Sequence, residues 1–200
     1  LMQTLVLGSS SPFRATLLGK LNLPFITVSP DIDESPQQKE TPTALVERLA
    51  QQKAMAIAAD HSEALIIGSD QVAVINGNIL GKPGTHDKAL EQLKLASGKT
   101  VRFVTGLALY DARRDKMQSL VEPFDVTFRT LTDNEIEAYL LAEQPYQCAG
   151  SFKSEGLGIC LFDQLSGDDP NSLVGLPLIQ LTRLLNNAGV NVLSEQSTHR

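Results

Sequence analysis

The stretch LVLGSSSPFRATLLGKL (residues 5–21) decides how the chain starts to fold. Leu5, Val6 and Leu7 make a short apolar run of the kind that forms a buried strand. Gly8, three serines and Pro12 break it. From residue 12 the apolar residues return at helical spacing. The turn between strand and helix has two readings. Serine caps helices well, and proline suits the first helical position. The same start leaves backbone N–H groups free and favours an anion, with Arg14 facing it from the first turn. Both readings use Ser9 and Ser11.

Working outward, 200 residues suit one domain or two closely joined lobes, and 42% hydrophobic residues can fill a core. The net charge of −6 and the pI of about 5.1 argue against a surface that coats nucleic acid or an anionic membrane. A small polyanion in a local basic pocket still fits. No apolar run has the length of a membrane span. The N-terminal apolar stretch is short, so no secretion signal is expected, and Leu1 ahead of Met2 is left out of the reading. Cys148 and Cys160 form no CxxC pair, and His61, His86 and His199 are scattered, which argues against structural zinc. Two buried thiols in a cytosolic chain are expected.

Along the chain, residues 3–7 read as a strand and 12–21 as a helix. FITVS (25–29) reads as a second strand, and residues 30–42 as a polar loop. Thr41 and Pro42 open a long amphipathic helix. Residues 64–83 read as a buried strand followed by an Asn-Gly hairpin. A helix runs from Thr85 to a stop at Gly98. Residues 100–129 read as two antiparallel strands. Thr132 and Glu135 make a capping box for the next helix. GLGICLF (156–162) reads as a short strand, and a last helix runs from about Leu176 to Asn187. From Ser194 a disordered tail is expected. Strands and helices intermix, so the class is α/β or α+β with a mixed sheet.

Several polar residues stand in unusual places. Asp70 lies inside the apolar run LIIGSDQVAVI (65–75). A carboxylate there needs a partner or a cation. It is either a structural carboxylate or a base or metal ligand at a strand end, where open α/β sheets place ligands. DIDESP (31–36) supplies Asp31, Asp33 and Glu34; Mg²⁺ needs only one or two carboxylates besides substrate phosphates. Lys53 lies on the long helix and Lys82 in a Gly-Lys-Pro segment. The glycine-rich CAGSFKSEGLG (148–158) carries Lys153 and Glu155, and DDPNSLVGLP (168–177) reads as the cap region of the last helix. No P-loop, no dinucleotide-binding glycine motif and no GxSxG elbow occurs. Cations, a carboxylate and a divalent metal together suit cleavage of a polyphosphate by activated water.

SSSPFR (9–14), Asp33-Glu34, Lys53 in QKA, GSDQ around Asp70, Gly81-Lys82-Pro83, Thr105-Gly106, AGSFKSEG and VGLPL occur in an order that resembles the Maf nucleotide pyrophosphatases, over roughly residues 4–193. The resemblance implies an α/β fold with an elongated mixed β-sheet flanked by helices. It further implies one domain of two lobes with a central cleft, similar to the inosine triphosphate pyrophosphatases. It implies hydrolysis of a nucleoside triphosphate to a monophosphate and diphosphate with Mg²⁺ or Mn²⁺, in the cytoplasm, with a homodimer as an option. Asp70 matches the proton acceptor and, with Glu34, the acids near the metal. Ser9, Ser11, Arg14, Lys53 and Lys82 match the phosphate-binding set. Phe13, Gln71 and Glu155 depart from the dTTP/UTP branch and resemble the branch acting on 7-methyl-GTP. N7-methylation makes guanine cationic, which suits an aromatic face and a carboxylate. A dTTP/UTP-type or broad pyrophosphatase, and a nucleotide-binding regulator of septum formation, are the competing expectations. The partner expected is a small nucleotide, not a nucleic-acid polymer or a membrane.

Overall fold

The computed structural model describes residues 2–198. Its strands are β1 (Leu5–Gly8), β2 (Ile26–Thr27), β3 (Leu65–Ile75), β4 (Asn78–Leu80), β5 (Thr100–Asp111), β6 (Lys116–Phe128) and β7 (Phe162–Ser166). Its helices are α1 (Pro12–Gly19), α2 (Pro42–Ala58), α3 (His86–Ala96), α4 (Asp133–Glu143), α5 (Pro170–Val174), α6 (Leu178–Asn187) and α7 (Val192–Glu195). The strands form an open mixed sheet of order β2-β1-β3-β5-β6-β7, with β4 paired to β3. This is the mixed α/β class the sequence predicts. No helix among the described residues is long and apolar enough to cross a membrane.

Two compact units divide the chain. The first comprises residues up to Gln71, Thr105–Glu122, and residues from Asp169 on; the second comprises Val72–Val104 and Pro123–Asp168.

In the first unit β1 runs parallel to β2 and β3, with Leu5 opposite Leu65 and Gly8 opposite Gly68. Alternate residues point to opposite faces. Leu5, Leu7, Leu65 and Ile67 pack with Leu17 and Leu18 of α1 and Leu181 and Leu185 of α6. Val6 and Ile66 pack with Ala54 and Ile57 of α2 on the other face. Because both faces are covered, the strands read as unbroken apolar runs. Helix α2 lies against the sheet almost backbone to backbone. A Cβ on Gly68 would stand 2.0 Å from the Ala50 carbonyl oxygen, and one on Gly106 2.1 Å from that of Val46. Two neighbouring strands therefore need glycine where the helix crosses them.

In the second unit Asn76 and Gly77, with φ of 50° and 77°, make the predicted tight hairpin. Phe103, Phe128, Phe152 and Phe162 pack edge to face at centroid distances of 5.1–5.3 Å. The Thr132–Glu135 capping box is present, and the Glu135 carboxylate also pairs with Arg129.

Three expectations are corrected. GLGICLF is not a strand: Leu157–Leu161 forms a 3-10 turn and β7 begins at Phe162. Gly158 is pressed so closely on residue 153 that a Cβ would meet the Lys153 carbonyl oxygen at 2.2 Å, and the segment curls instead of extending. The chain from Ser194 to Thr198 is helical, because Asn191 caps α7 and the Gln196 amide donates to the Leu21 carbonyl; His199 and Arg200 lie outside the described residues. The thiols are free as expected but not buried: Cys160 is exposed and Cys148 half-buried.

Two outcomes follow. Gly68→Ala should lower stability by roughly 1–3 kcal/mol through overpacking, whereas Gly19→Ala, whose Cβ meets nothing within 4 Å, should leave it unchanged or raise it. Thermal unfolding compares them, and equal melting temperatures would refute the close approach. Arg129 chiefly, then the Thr132 amide, hold the Glu135 carboxyl down at about 2, below its ordinary 4.5. Its contribution is complete above pH 4.5 and is lost as pH falls toward 2. Glu135→Gln should therefore lose less melting temperature than the parent between pH 5 and about pH 2.5.

Candidate active site

The candidate site begins where β1 stops and β3 continues. The Ser9 hydroxyl accepts from the Ser11 amide at 3.0 Å, and the Ser11 hydroxyl accepts from the Arg14 amide at 3.3 Å. Ser11 is thus the N-cap of α1, as one reading of the turn expects. Arg14, in the first turn of α1, donates from Nε to the Gly175 carbonyl at 2.7 Å. Gly175 has φ of 121°, and a Cβ there would sit 3.1 Å from Arg14 Nε, so glycine suits both its backbone and its neighbour. Burial lowers the Arg14 pKa, and the charges of Asp70 and Glu34 oppose that shift.

Lys53 is the centre. Most lysines on a surface helix are solvated, but this one is only 8% exposed. The close approach of α2 to β3 brings Nζ to 3.1 Å from Asp70 Oδ1, 2.7 Å from Glu34 Oε1 and 3.4 Å from the Ser69 carbonyl oxygen. A buried ammonium is costly unless paired and hydrogen-bonded, and here both conditions hold. Asp70 projects from β3 with its side chain 16% exposed, while Glu34 comes from the loop before α2 and is well exposed.

Next along β3, Gln71 donates its amide to Thr105 Oγ1 at 3.0 Å, to the Ser172 carbonyl at 2.9 Å and to the Leu173 carbonyl at 3.2 Å. Ser69 Oγ donates to the Gly175 carbonyl at 2.9 Å. Asp169, 1% exposed, accepts from the amides of Asn171 and Ile179 at 2.8 and 2.9 Å and so joins the starts of α5 and α6. Ser69, Thr105, Asp169, Ser172 and Gly175 thus build the floor of the first unit's site. Sequence reasoning gave these residues no role: Ser69, Thr105 and Gly175 fall in the GSDQ, Thr105-Gly106 and VGLPL motifs, and the polar DDPNS stretch reads as an ordinary cap.

The first unit therefore holds Ser9, Ser11, Phe13, Arg14, Glu34, Lys53, Asp70 and Gln71, with Phe13 42% exposed. Lys82 and Glu155 belong to the second unit, on the segment after β4 and on the turn before the 3-10 segment Leu157–Leu161. Gln92 of α3 links those two segments: its amide donates to the Gly81 carbonyl at 3.1 Å, and its carbonyl accepts from Ser151 Oγ at 2.5 Å. His86 adds support, with Nδ1 2.8 Å from the Tyr146 hydroxyl and Nε2 2.9 Å from Glu137.

No group of three or more His, Cys, Asp and Glu among the described residues could enclose a metal ion. Glu34 and Asp70 instead converge on one point, now taken by Lys53. Two carboxylates suit Mg²⁺, which takes few protein ligands and fills its shell with phosphate oxygens and water.

The family model described as Maf-like protein matches residues 4–188. A 7-methyl-GTP pyrophosphatase of Colwellia psychrerythraea is 60% identical over 98% of this chain and 98% of its own length. Proteins of the same name from Pseudoalteromonas translucida and Nitrosococcus oceani are 59% and 60% identical, over 96% and 95% of this chain and 96% of each relative. Among solved structures, the Staphylococcus aureus Ham1 protein aligns with 63% of this chain and 72% of its own at a TM-score of 0.45 and 13% identity. The match to the family model spans nearly the whole chain, and the relatives agree over the same length: the chain belongs to the Maf family.

Proposed function

We propose that the protein hydrolyses 7-methyl-GTP to 7-methyl-GMP and diphosphate. The observation that carries this reading is the Lys53 ammonium held between Asp70 and Glu34, in a chain about 60% identical to relatives of that name. In this reading Asp70 Oδ takes a proton from water as the water oxygen bonds to the α-phosphorus. The bond from that phosphorus to the α–β bridging oxygen breaks, and diphosphate leaves with the bond's electrons. Lys53 orients both carboxylates, and with Arg14 and Lys82 it balances phosphate charge. The Ser9 and Ser11 hydroxyls, at the positive end of α1, are proposed to donate to a phosphate.

Glu34 and Asp70 would hold a divalent cation that arrives with the substrate. Such an ion neutralises phosphate oxygens and the charge on the leaving diphosphate.

Phe13 and Glu155 are the proposed readers of the cationic base, through a ring face and a carboxylate. Gln71 is proposed to act indirectly, because its amide already supports residues 172 and 173. A single two-lobed domain, a cytoplasmic location and a homodimeric state belong to the same reading, as the family resemblance implies them.

Pyrophosphate release from 7-methyl-GTP, GTP, dTTP and UTP with Mg²⁺ tests the function. Preference for 7-methyl-GTP is expected; preference for dTTP or UTP would overturn the substrate. Asp70→Asn, which keeps an acceptor for Lys53, should lower kcat by roughly 10²–10⁴-fold with the circular dichroism spectrum intact. Activity within about tenfold of the parent would remove Asp70 as the base. Phe13→Ala and Glu155→Gln should each narrow the kcat/KM ratio of 7-methyl-GTP to GTP. An unchanged ratio in either would take that residue out of base recognition.

A further inference from the structure

Glu34 stands in a stretch, residues 28–41, that has no helix or strand of its own. Its approach to Lys53 therefore depends on side chains that tie this stretch to the rest of the unit. One side chain dominates. Arg48, on α2, meets Glu40 with two parallel bonds, Nε to Oε2 at 2.6 Å and Nη2 to Oε1 at 2.8 Å. The same Nη2 donates to the carbonyl of Ser35, the residue after Glu34, at 3.1 Å. Nη1 donates to Gln52 at 3.0 Å, one helical turn along α2. A guanidinium that bonds on all its edges has little freedom left.

Glu40 extends the tie. Its Oε1 also accepts from the Gln37 amide at 3.0 Å, and the Glu40 amide donates to the Gln37 carbonyl at 3.2 Å. The Glu40 side chain is only 7% exposed, which sets this pair apart from a solvated surface ion pair. Arg48 first, then the Gln37 amide, hold its carboxyl down at about 2. On the other side of Glu34, the Ser35 amide donates to Asp33 Oδ1 at 2.9 Å and closes a local turn. Helix α2 thus carries both the cation that Glu34 faces and the guanidinium that anchors the loop.

We propose that Arg48, clamped on Glu40 and the Ser35 carbonyl, is a positioning residue that sets Glu34 over Lys53 for the hydrolytic reaction. The inference rests on the function proposed above for the role of Glu34, but its structural half stands without it. Lysine cannot reproduce the clamp, because a single ammonium lacks the planar fork that meets Glu40, Ser35 and Gln52 together.

The test pairs two readouts on Arg48→Lys and the milder Glu40→Gln. The first is amide hydrogen exchange over residues 33–40. It should quicken several-fold in both variants while β1, β3 and α2 keep their protection. The second is steady-state hydrolysis of 7-methyl-GTP. In the parent, Arg48→Lys should lower kcat by roughly tenfold or more, a larger factor than any rise in KM. In a Glu34→Ala background the same substitution should change kcat by less than about twofold, because an effect acting through Glu34 has nothing left to act on. Equal factors in both backgrounds, or unchanged exchange in the loop, would overturn the proposal. A protein inert toward all four nucleotides, with exchange quickened as expected, would sink the proposed function and still support the positioning of Glu34.

Discussion

A buried ammonium must be surrounded before it can be tolerated, and the first unit is arranged around that requirement. Lys53 reaches its partners only because α2 lies directly on β3 and β5, where Gly68 and Gly106 present no side chain. The short separation shields Nζ from water, and the shielding makes the pairing with Asp70 and Glu34 necessary. Lys53 and Asp70 share a largely dehydrated space in which their attraction is stronger than at the surface, while Glu34 meets the same ammonium from the solvent side. Lys53 thereby fixes the two carboxylates relative to each other through one shared ammonium.

Other side chains have their bonds within the protein and act as fixed support. Gln71 and Thr105 both reach the Ser172 carbonyl, and Ser69 and Arg14 both reach that of Gly175. The carbonyls of Ser172 within α5 and of Gly175 at its end therefore serve as anchor points for strand and helix alike. In the second unit Gln92 does comparable work for the segments that carry Lys82 and Glu155. Residues proposed to meet substrate thus stand on a layer whose polar atoms have partners, which limits their drift.

Of the two readings of the serine turn, the structure shows the cap, in which the Ser11 hydroxyl accepts from the Arg14 amide. The proposed anion seat would draw on the Ser9 and Ser11 hydroxyls at that same helix start. A similar economy applies to α2, where Arg48 anchors the loop and Lys53 faces its carboxylate.

Much of the fold was legible because it is local. Apolar runs marked β1 and β3, Thr41-Pro42 and Thr132–Glu135 marked helix starts, and Asn76-Gly77 marked the hairpin, since each signal lies within a few residues of its effect. GLGICLF misled because its composition suits a strand, while the contact of Gly158 with residue 153 curls it. The residues from Ser194 misled because their order comes from Leu21, far back in the chain. The motif order, the carboxylate inside the β3 run and the charge balance were likewise determined by the sequence alone, and they carried the chemistry of a phosphate-cleaving site. Only the tertiary structure decided that Lys53 is buried, that Asp70 and Glu34 share it, and that Gln71 is tied inward. Each of these depends on groups brought together from distant parts of the chain, and periodicity along one segment carries no record of what packs against it.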